Sequence, residues 1–467
     1  MMGALEALWL AEDAAAATGG KLIGSDSWIA SGVSIDTRTL QPGDLFVALK
    51  DVRDGHDFLD AAFKAGACAA LVSEPRSVSG PALLVKDVLD GLRALGTAAR
   101  HRSPAKRIGI TGSVGKTSTK EALAACLAAS APTHASVKSY NNHWGVPLTL
   151  SRMPQSSVYG VFEIGMNHRH EIAPLSAQVR PDVAIITWIA PAHIENLGSL
   201  EAIADEKSDV YSGLAKGGVA LAPGEAPHAQ RLFAAGRRYA HRVLSFGFDE
   251  GRDARMMAFT PDPAGGSIAH AEILGKAVRY RIGADGAHWA GNSLAALLAV
   301  AVLGADLDAA CAALERFTAP AGRGAVSTLA LAGGAVTLID DSYNANPTSM
   351  AAALTSLGAR LCPAGGRRIA ALGDMLELGP EERAYHANLA APIAQAGIDL
   401  VFCAGPRMRA LWDGLPAAQR GAYAETADAL TAVLQAALSP GDVVLVKGSN
   451  GSKMHALVAA LKQDGGA

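Results

Sequence analysis

A chain of 467 residues, half of them hydrophobic, exceeds one ordinary domain and can fill several cores, so about two to four domains are expected. With 41 Lys and Arg against 44 Asp and Glu, the net charge of −3 excludes a nucleic-acid binder held by bulk electrostatics. The five cysteines (Cys68, Cys126, Cys311, Cys362, Cys403) are scattered without a C-x-x-C pair. They read as buried thiols in a reducing compartment, not as disulfides or a zinc site.

The opening residues 1–20 lack a basic segment and carry Glu6 and Glu12, which predicts a first helix and not a signal peptide. Short β-like pieces follow at 32–35, 44–49 and 69–72, separated by turn residues such as Gln41-Pro42-Gly43. Residues 87–101 read as a linking helix, broken by Arg102-Ser103-Pro104-Ala105. An apolar run then enters TGSVGKT at 111–117, and a helix-forming run covers 118–129. Strands of buried parallel type are predicted at 158–164 and 183–187, and helices at 200–214 and 291–303. Between those helices, from about 243 to 282, the chain is β-rich and more polar. From about 319, strands at 336–340, 368–372, 400–403 and 442–446 alternate with helical patterns, which indicates a doubly wound α/β sheet. The longest apolar run, 294–305, is too short to span a bilayer, so a soluble cytoplasmic protein without membrane insertion is expected.

Strand, Gly-rich turn and helix around TGSVGKT form the context of a phosphate-binding loop. Gly112, Ser113 and Gly115 would turn backbone N–H groups toward phosphate oxygens at the helix N-terminus, with Ser118 just inside the helix. Lys116 would reach the β- and γ-phosphates and the Thr117 hydroxyl would hold Mg2+. Ile110 stands where the commoner, longer loop has its first glycine. Further polar groups end predicted strands, where open α/β sheets bind ligands: Glu163, His193 and, on the next helix, Lys207. A carboxylate and an imidazole near a nucleotide suit a divalent metal, although Mg2+ prefers oxygen. Read alone, Glu163 also fits a surface strand-end carboxylate, His193 a capping or core histidine, and Lys207 a solvated helix lysine. Asp340-Asp341-Ser342-Tyr343-Asn344-Ala345-Asn346-Pro347 fits a helix cap, but holds more hydrogen-bonding groups than a cap needs.

Together these segments resemble the Mur ligases, ATP-dependent enzymes that build the peptide of peptidoglycan precursors. The resemblance runs through Ile35-Asp36-Thr37-Arg38, residues 54–58, TGSVGKT, Tyr140-Asn141-Asn142-His143-Trp144-Gly145-Val146-Pro147, residues 163–167 and 192–195, DDSYNANP at 340–347, LGDMLELG at 372–379, and Val446-Lys447-Gly448-Ser449. DDSYNANP, LGDMLELG and the NNxxGVP run are most similar to the branch that adds D-alanyl-D-alanine to UDP-N-acetylmuramoyl-tripeptide. Asp51 and the stretch after Ser449 depart from the family pattern.

The resemblance implies three domains: residues 1–86 for the uridine nucleotide, a central P-loop ATPase with a mostly parallel sheet at 87–321, and a Rossmann-like domain at 322–467. It implies ATP and two Mg2+. Thr117 would serve the first ion, and Glu163 and His193 the second, with Lys207 at a position that forms a carbamate with CO2. Asn292, Arg323, Asp341, Tyr343 and Asn344 would join the phosphate loop in holding ATP. Ser34, Asp36, Thr37, Arg38, Gly55, His56, Asn141, Asn142, Asp374, Met375 and Lys447 would bind the substrates, the UDP-precursor and the dipeptide. A monomer is expected. Two rivals are a folylpolyglutamate synthase-like ligase and a nucleotide-dependent regulator that does not ligate.

Overall fold

The computed structural model describes residues 7–74, 80–262 and 265–464. Three larger sheets follow one another along the chain, and Trp9–Leu10 pairs with Ile29–Ala30 in a separate two-stranded one. In the first, the strand Lys21–Ile23 runs antiparallel to Ala82–Leu84, and Ala69–Val72, Asp44–Val47 and Gly32–Ser34 continue in parallel. The first helix spans Ala11–Thr18; the part of its expected range at 1–6 lies outside the described residues, and Trp9–Leu10 is a short strand.

The helix Val88–Arg102 starts under an Asp87 cap, whose side chain accepts from Asp90 N. Its buried Leu92, Leu95 and Ala99 join the apolar cluster of the first sheet, together with Leu148. The first hydrophobic core therefore runs past residue 86, because the linking helix supplies one wall of it.

The central sheet has nine strands. Six neighbouring pairs, from Thr133–Ala135 at one edge to Ala254–Pro261, are parallel. The β-rich stretch seen in the sequence closes the other edge as the antiparallel strands Ala254–Pro261, Ser267–Ile273 and Lys276–Ile282. The third sheet starts with the hairpin Ala325–Leu331 and Gly334–Asp341, then continues in parallel through Val443–Lys447, Arg368–Gly373, Leu400–Ala404 and Arg420–Ala424. Among the described residues no helix is long and apolar enough to cross a membrane. The five cysteines are free thiols.

Candidate active site

The phosphate loop forms where the strand Lys106–Thr111 ends between two parallel neighbours, with Glu163 opposite Ile110 and Ile186 opposite Thr111. The chain turns at once into a helix, and glycine makes this possible. Gly112 has φ +152°, and a Cβ there would collide with Thr187 Oγ1; Gly115 has φ +83°, and its Cβ would stand 2.6 Å from Asn292 Oδ1. Bonds to the next strand end fix the loop: Ser113 N donates to Trp188 O at 2.8 Å and Thr187 Oγ1 to Val114 O at 2.5 Å. The helix Lys116–Ala128 begins directly after the turn, so its free N–H groups and positive dipole end face the loop.

Lys116 Nζ donates to Gly112 O at 2.6 Å, which folds the side chain over the loop. Burial lowers its pKa; Glu163 opposes that shift and Arg323 adds to it. Thr117 Oγ1 donates to Glu163 Oε2 at 2.7 Å, and Asn141 Nδ2 donates to Glu163 Oε1 at 2.7 Å. Glu163 is 1% exposed, so it is no surface carboxylate; both oxygens are satisfied by donors that would also fix it for a ligand.

Lys207 is not a solvated helix lysine either. On the helix Leu200–Ser208 it is 1% exposed, and burial and the like charge of Lys116 push its pKa well below the usual lysine range, with Glu206 opposing. Glu206 turns away from it. Its carboxylate accepts from the backbone N–H of His170 (2.7 Å), Glu171 (3.0 Å) and Ile172 (2.9 Å). The Lys207 helix is thereby clamped to the segment that follows the Glu163 strand.

His193 precedes the short helix Ile194–Leu197 in the left-handed region, at φ +58°, and makes no side-chain cap. Its Nδ1 instead meets Glu377 Oε2 from the third sheet's side of the molecule. Glu377 is itself left-handed, at φ +62°. Such conformations cost about 1–3 kcal/mol each and persist where surrounding contacts impose them.

A cavity of about 330 Å³ opens beside the loop, between the central and C-terminal sheets. Ser113, Gly115 and Ser118 line it, and Asn292, Arg323, Asp341, Asn344 and Lys447 belong to its polar wall. Asn292 Oδ1 accepts from Thr119 Oγ1 at 3.2 Å, while its Nδ2 is buried without a partner, as is Ser113 Oγ. Unmet buried polar groups in a cavity of nucleoside size point to a ligand. Arg323 spans its mouth: the guanidinium lies 4.1 Å from the Tyr343 ring centroid and donates to Ser139 Oγ at 3.2 Å. Lys447, expected on the substrate side, donates to Asp341 Oδ2 at 2.7 Å and lines this same cavity. Asn346 caps the helix Pro347–Ala359 in a reciprocal pair with Ser349, so part of DDSYNANP is a cap after all.

The remaining expected substrate residues divide into two groups. At the N-terminal sheet, Arg38 grips Asp36 through Nε (2.9 Å) and Nη2 (2.7 Å), which holds that carboxyl below its usual range. Ser34 Oγ donates to Asp36 O at 3.1 Å, and Thr37 lies half-buried in the same turn. Several others have side chains committed to the protein. Buried His56 uses both ring nitrogens, Nδ1 with Asp54 at 2.7 Å and Nε2 accepting from Ser73 N at 3.0 Å. A Cβ on Gly55 would stand 2.6 Å from Ala48 C, so glycine serves close packing there. Asn142 Oδ1 accepts from Gly145 N at 2.9 Å, Asp374 Oδ1 accepts from Met408 N at 2.9 Å, and Met375 is sealed in the C-terminal core. Three site residues escaped the sequence reading: Ser139, beside the NNxxGVP run; Glu206, beside Lys207; and Glu377, inside LGDMLELG. Their neighbours in the motifs were the only signal.

The Mur ligase family catalytic domain matches residues 30–132, the Mur ligase middle domain 110–300, and the Mur ligase glutamate ligase domain 326–450. The UDP-N-acetylmuramoyl-tripeptide–D-alanyl-D-alanine ligase of Escherichia coli is 35% identical over 96% of this chain and 96% of its own length. That of Bacillus subtilis is 34% identical over 92% of this chain and 93% of its own. A crystal structure of MurF from Acinetobacter baumannii aligns with a TM-score of 0.84 at 30% identity, covering 97% of this chain and 99% of that one. MurF ligase from Thermotoga maritima, solved with ADP, shares the fold at a TM-score of 0.77 and 24% identity. A nucleoside-sized cavity at a phosphate loop, closed by a third sheet and matched over its whole length to enzymes of one kind, has one account: the chain belongs to the Mur ligase family of ATP-dependent, amide-bond-forming ligases.

Proposed function

We propose that the chain joins D-alanyl-D-alanine to UDP-N-acetylmuramoyl-tripeptide, giving the pentapeptide precursor of peptidoglycan. ATP activates the tripeptide carboxylate as an acyl phosphate, and the dipeptide amine displaces phosphate. The observation that carries this reading is the cluster at the phosphate loop: Thr117 and Glu163, buried and hydrogen-bonded to each other, with half-buried Lys116 and Arg323 in their field, Arg323 also lining the cavity. A carboxylate approaching a triphosphate meets strong like-charge repulsion, and Lys116 and Arg323 supply the cationic field that offsets it. Arg323, braced between Tyr343 and Ser139, belongs to both sides of the cavity and ties phosphate binding to closure, which excludes water from a hydrolysable intermediate.

The residues fit divalent metal. Thr117 Oγ1 and Glu163 Oε2 are hard oxygen donors 2.7 Å apart in a buried site. Among the described residues no group of three or more His, Cys, Asp or Glu could hold a metal ion, so other oxygens must complete any shell. In this reading Thr117 serves one Mg2+, and Glu163 and His193 the other. When bound, the ions neutralise phosphate charge. Lys207, whose depressed pKa favours the neutral amine that adds CO2, would act as a carbamate and contribute anionic oxygens. Residues 1–86 hold the uridine nucleotide through Ser34, Asp36, Thr37 and Arg38, residues 87–321 the ATP, and residues 322–467 the closing surface for the dipeptide. The enzyme acts as a cytoplasmic monomer.

The test is a coupled ADP-release assay with product analysis. ADP should appear only with UDP-MurNAc-tripeptide and D-Ala-D-Ala together. Ligation of D-Glu, L-Ala or meso-diaminopimelate at a comparable rate refutes the acceptor, and ADP release without ligation refutes the ligase in favour of the regulator.

A further inference from the structure

We infer that Glu377 is a positioning residue of the metal centre: it reaches across from the C-terminal domain and fixes His193 so that the ring offers only Nε2 to a divalent cation. This rests on the reading of His193 as a metal ligand.

Two non-glycine residues in left-handed backbone, His193 and Glu377, meet where the two domains touch. They are joined twice, side chain to side chain and through Glu195 N, which donates to Glu377 O at 3.3 Å. Gly379, at φ +67°, brings the following turn so close that a Cβ would lie 3.6 Å from Glu195 Cα. The grip is thus on the segment 193–195 as well as on the ring. The His193 side chain is 21% exposed, so the contact with Glu377 does not seal it from solvent.

An imidazole has two nitrogens, and the partner of one decides what the other can do. A carboxylate at Nδ1 keeps the proton there and leaves the lone pair on Nε2. The carboxylate comes from the domain that also carries Arg323 and Asp341. Undocking the C-terminal domain would therefore release His193 to rotate and change tautomer. Cation affinity and closure become linked, each favouring the other by the same factor.

The experiment is a Mn2+ titration of the full-length protein with ADP, followed by electron paramagnetic resonance, together with 15N spectra of the histidines. His193→Ala should remove one of two Mn2+ sites and identify the His193 resonances. Glu377→Ala should weaken that same site about 10- to 100-fold, leave the other Mn2+ and ADP unchanged, and shift His193 away from the Nδ1–H tautomer. Glu377→Asp, one methylene shorter, should behave like the alanine variant, and Glu377→Gln, which keeps an oxygen acceptor, should stay near wild type. If His193→Ala keeps both Mn2+ sites, the underlying ligand reading fails. If His193→Ala loses a site that Glu377→Ala and Glu377→Asp both bind with wild-type affinity, the ligand stands and the positioning role is overturned.

Discussion

The phosphate loop and the segment 372–379 are both motif-dense turns at the end of a parallel strand, yet they use their residues differently. In the loop, consecutive residues serve one purpose: Gly112 and Gly115 set the turn, Lys116 folds over it, and Thr117 meets Glu163. In 372–379 the side chains part company. Asp374 holds Met408 N, Met375 enters the core, and Glu377 leaves for His193 in another domain. A motif whose work is done by backbone direction can be read from spacing. A motif whose side chains alternate between scaffold and partner cannot.

The sharpest break between the two regions should come from Lys116→Ala. The loop is fixed by Ser113 and Thr187, so the fold should survive while turnover drops more than about 1,000-fold, as expected when charge on a transferring phosphoryl is lost. Phosphate release with circular dichroism checks both halves. Next in size is Lys207→Ala, with an expected loss of about 100-fold or more, partly restored by acetate or formate. Lys207→Arg should not be rescued, and a variant indifferent to added carboxylate removes the carbamate. Met375→Ala marks the other side of the comparison. It should lower stability by about 2–5 kcal/mol through the cavity it leaves, with kcat of the folded enzyme nearly unchanged. A selective rise in KM for the dipeptide without loss of stability would return Met375 to the substrate site.

Much of the architecture was legible. Apolar runs such as 183–187 read as buried strands of parallel type and are so, and the stretch from about 243 to 282, read only as β-rich and more polar, holds the antiparallel edge. Glu163 could be picked out from its place at a predicted strand end, and the structure buries it there. The site was not legible where burial decides the chemistry. Lys207 reads as a surface residue until tertiary packing encloses it, and nothing in the sequence around His56 tells that Asp54 and Ser73 engage both its ring nitrogens. The first core runs past residue 86 because a helix can serve the sheet before it as readily as the sheet after it.

The smallest effect belongs to Ser139, which no motif singled out. Its Oγ lies 3.2 Å from Thr117 Oγ1 and accepts from Arg323 Nη2 at 3.2 Å, so one hydroxyl connects the loop helix to the arginine that closes the cavity. The hydroxyl is held in place from below. Buried Lys120 donates to Ser136 O at 2.5 Å and to Lys138 O at 2.9 Å, and Lys138 turns through φ +52° just before it. Removing Oγ leaves Thr117 its bond to Glu163 and Arg323 its stacking on Tyr343, so only the connection is lost. A single hydrogen bond of this kind contributes about 0.5–1.5 kcal/mol, which corresponds to a fall in kcat/KM of about 2- to 13-fold for Ser139→Ala. The change should fall on KM for ATP more than on KM for the dipeptide, and Ser139→Thr should recover most of it. Steady-state kinetics with each substrate varied in turn decides the matter. An unchanged KM for ATP would make Ser139 a spacer, and a loss beyond about 100-fold would exceed what one bridging hydroxyl can supply and place it among the groups that touch the reacting phosphates.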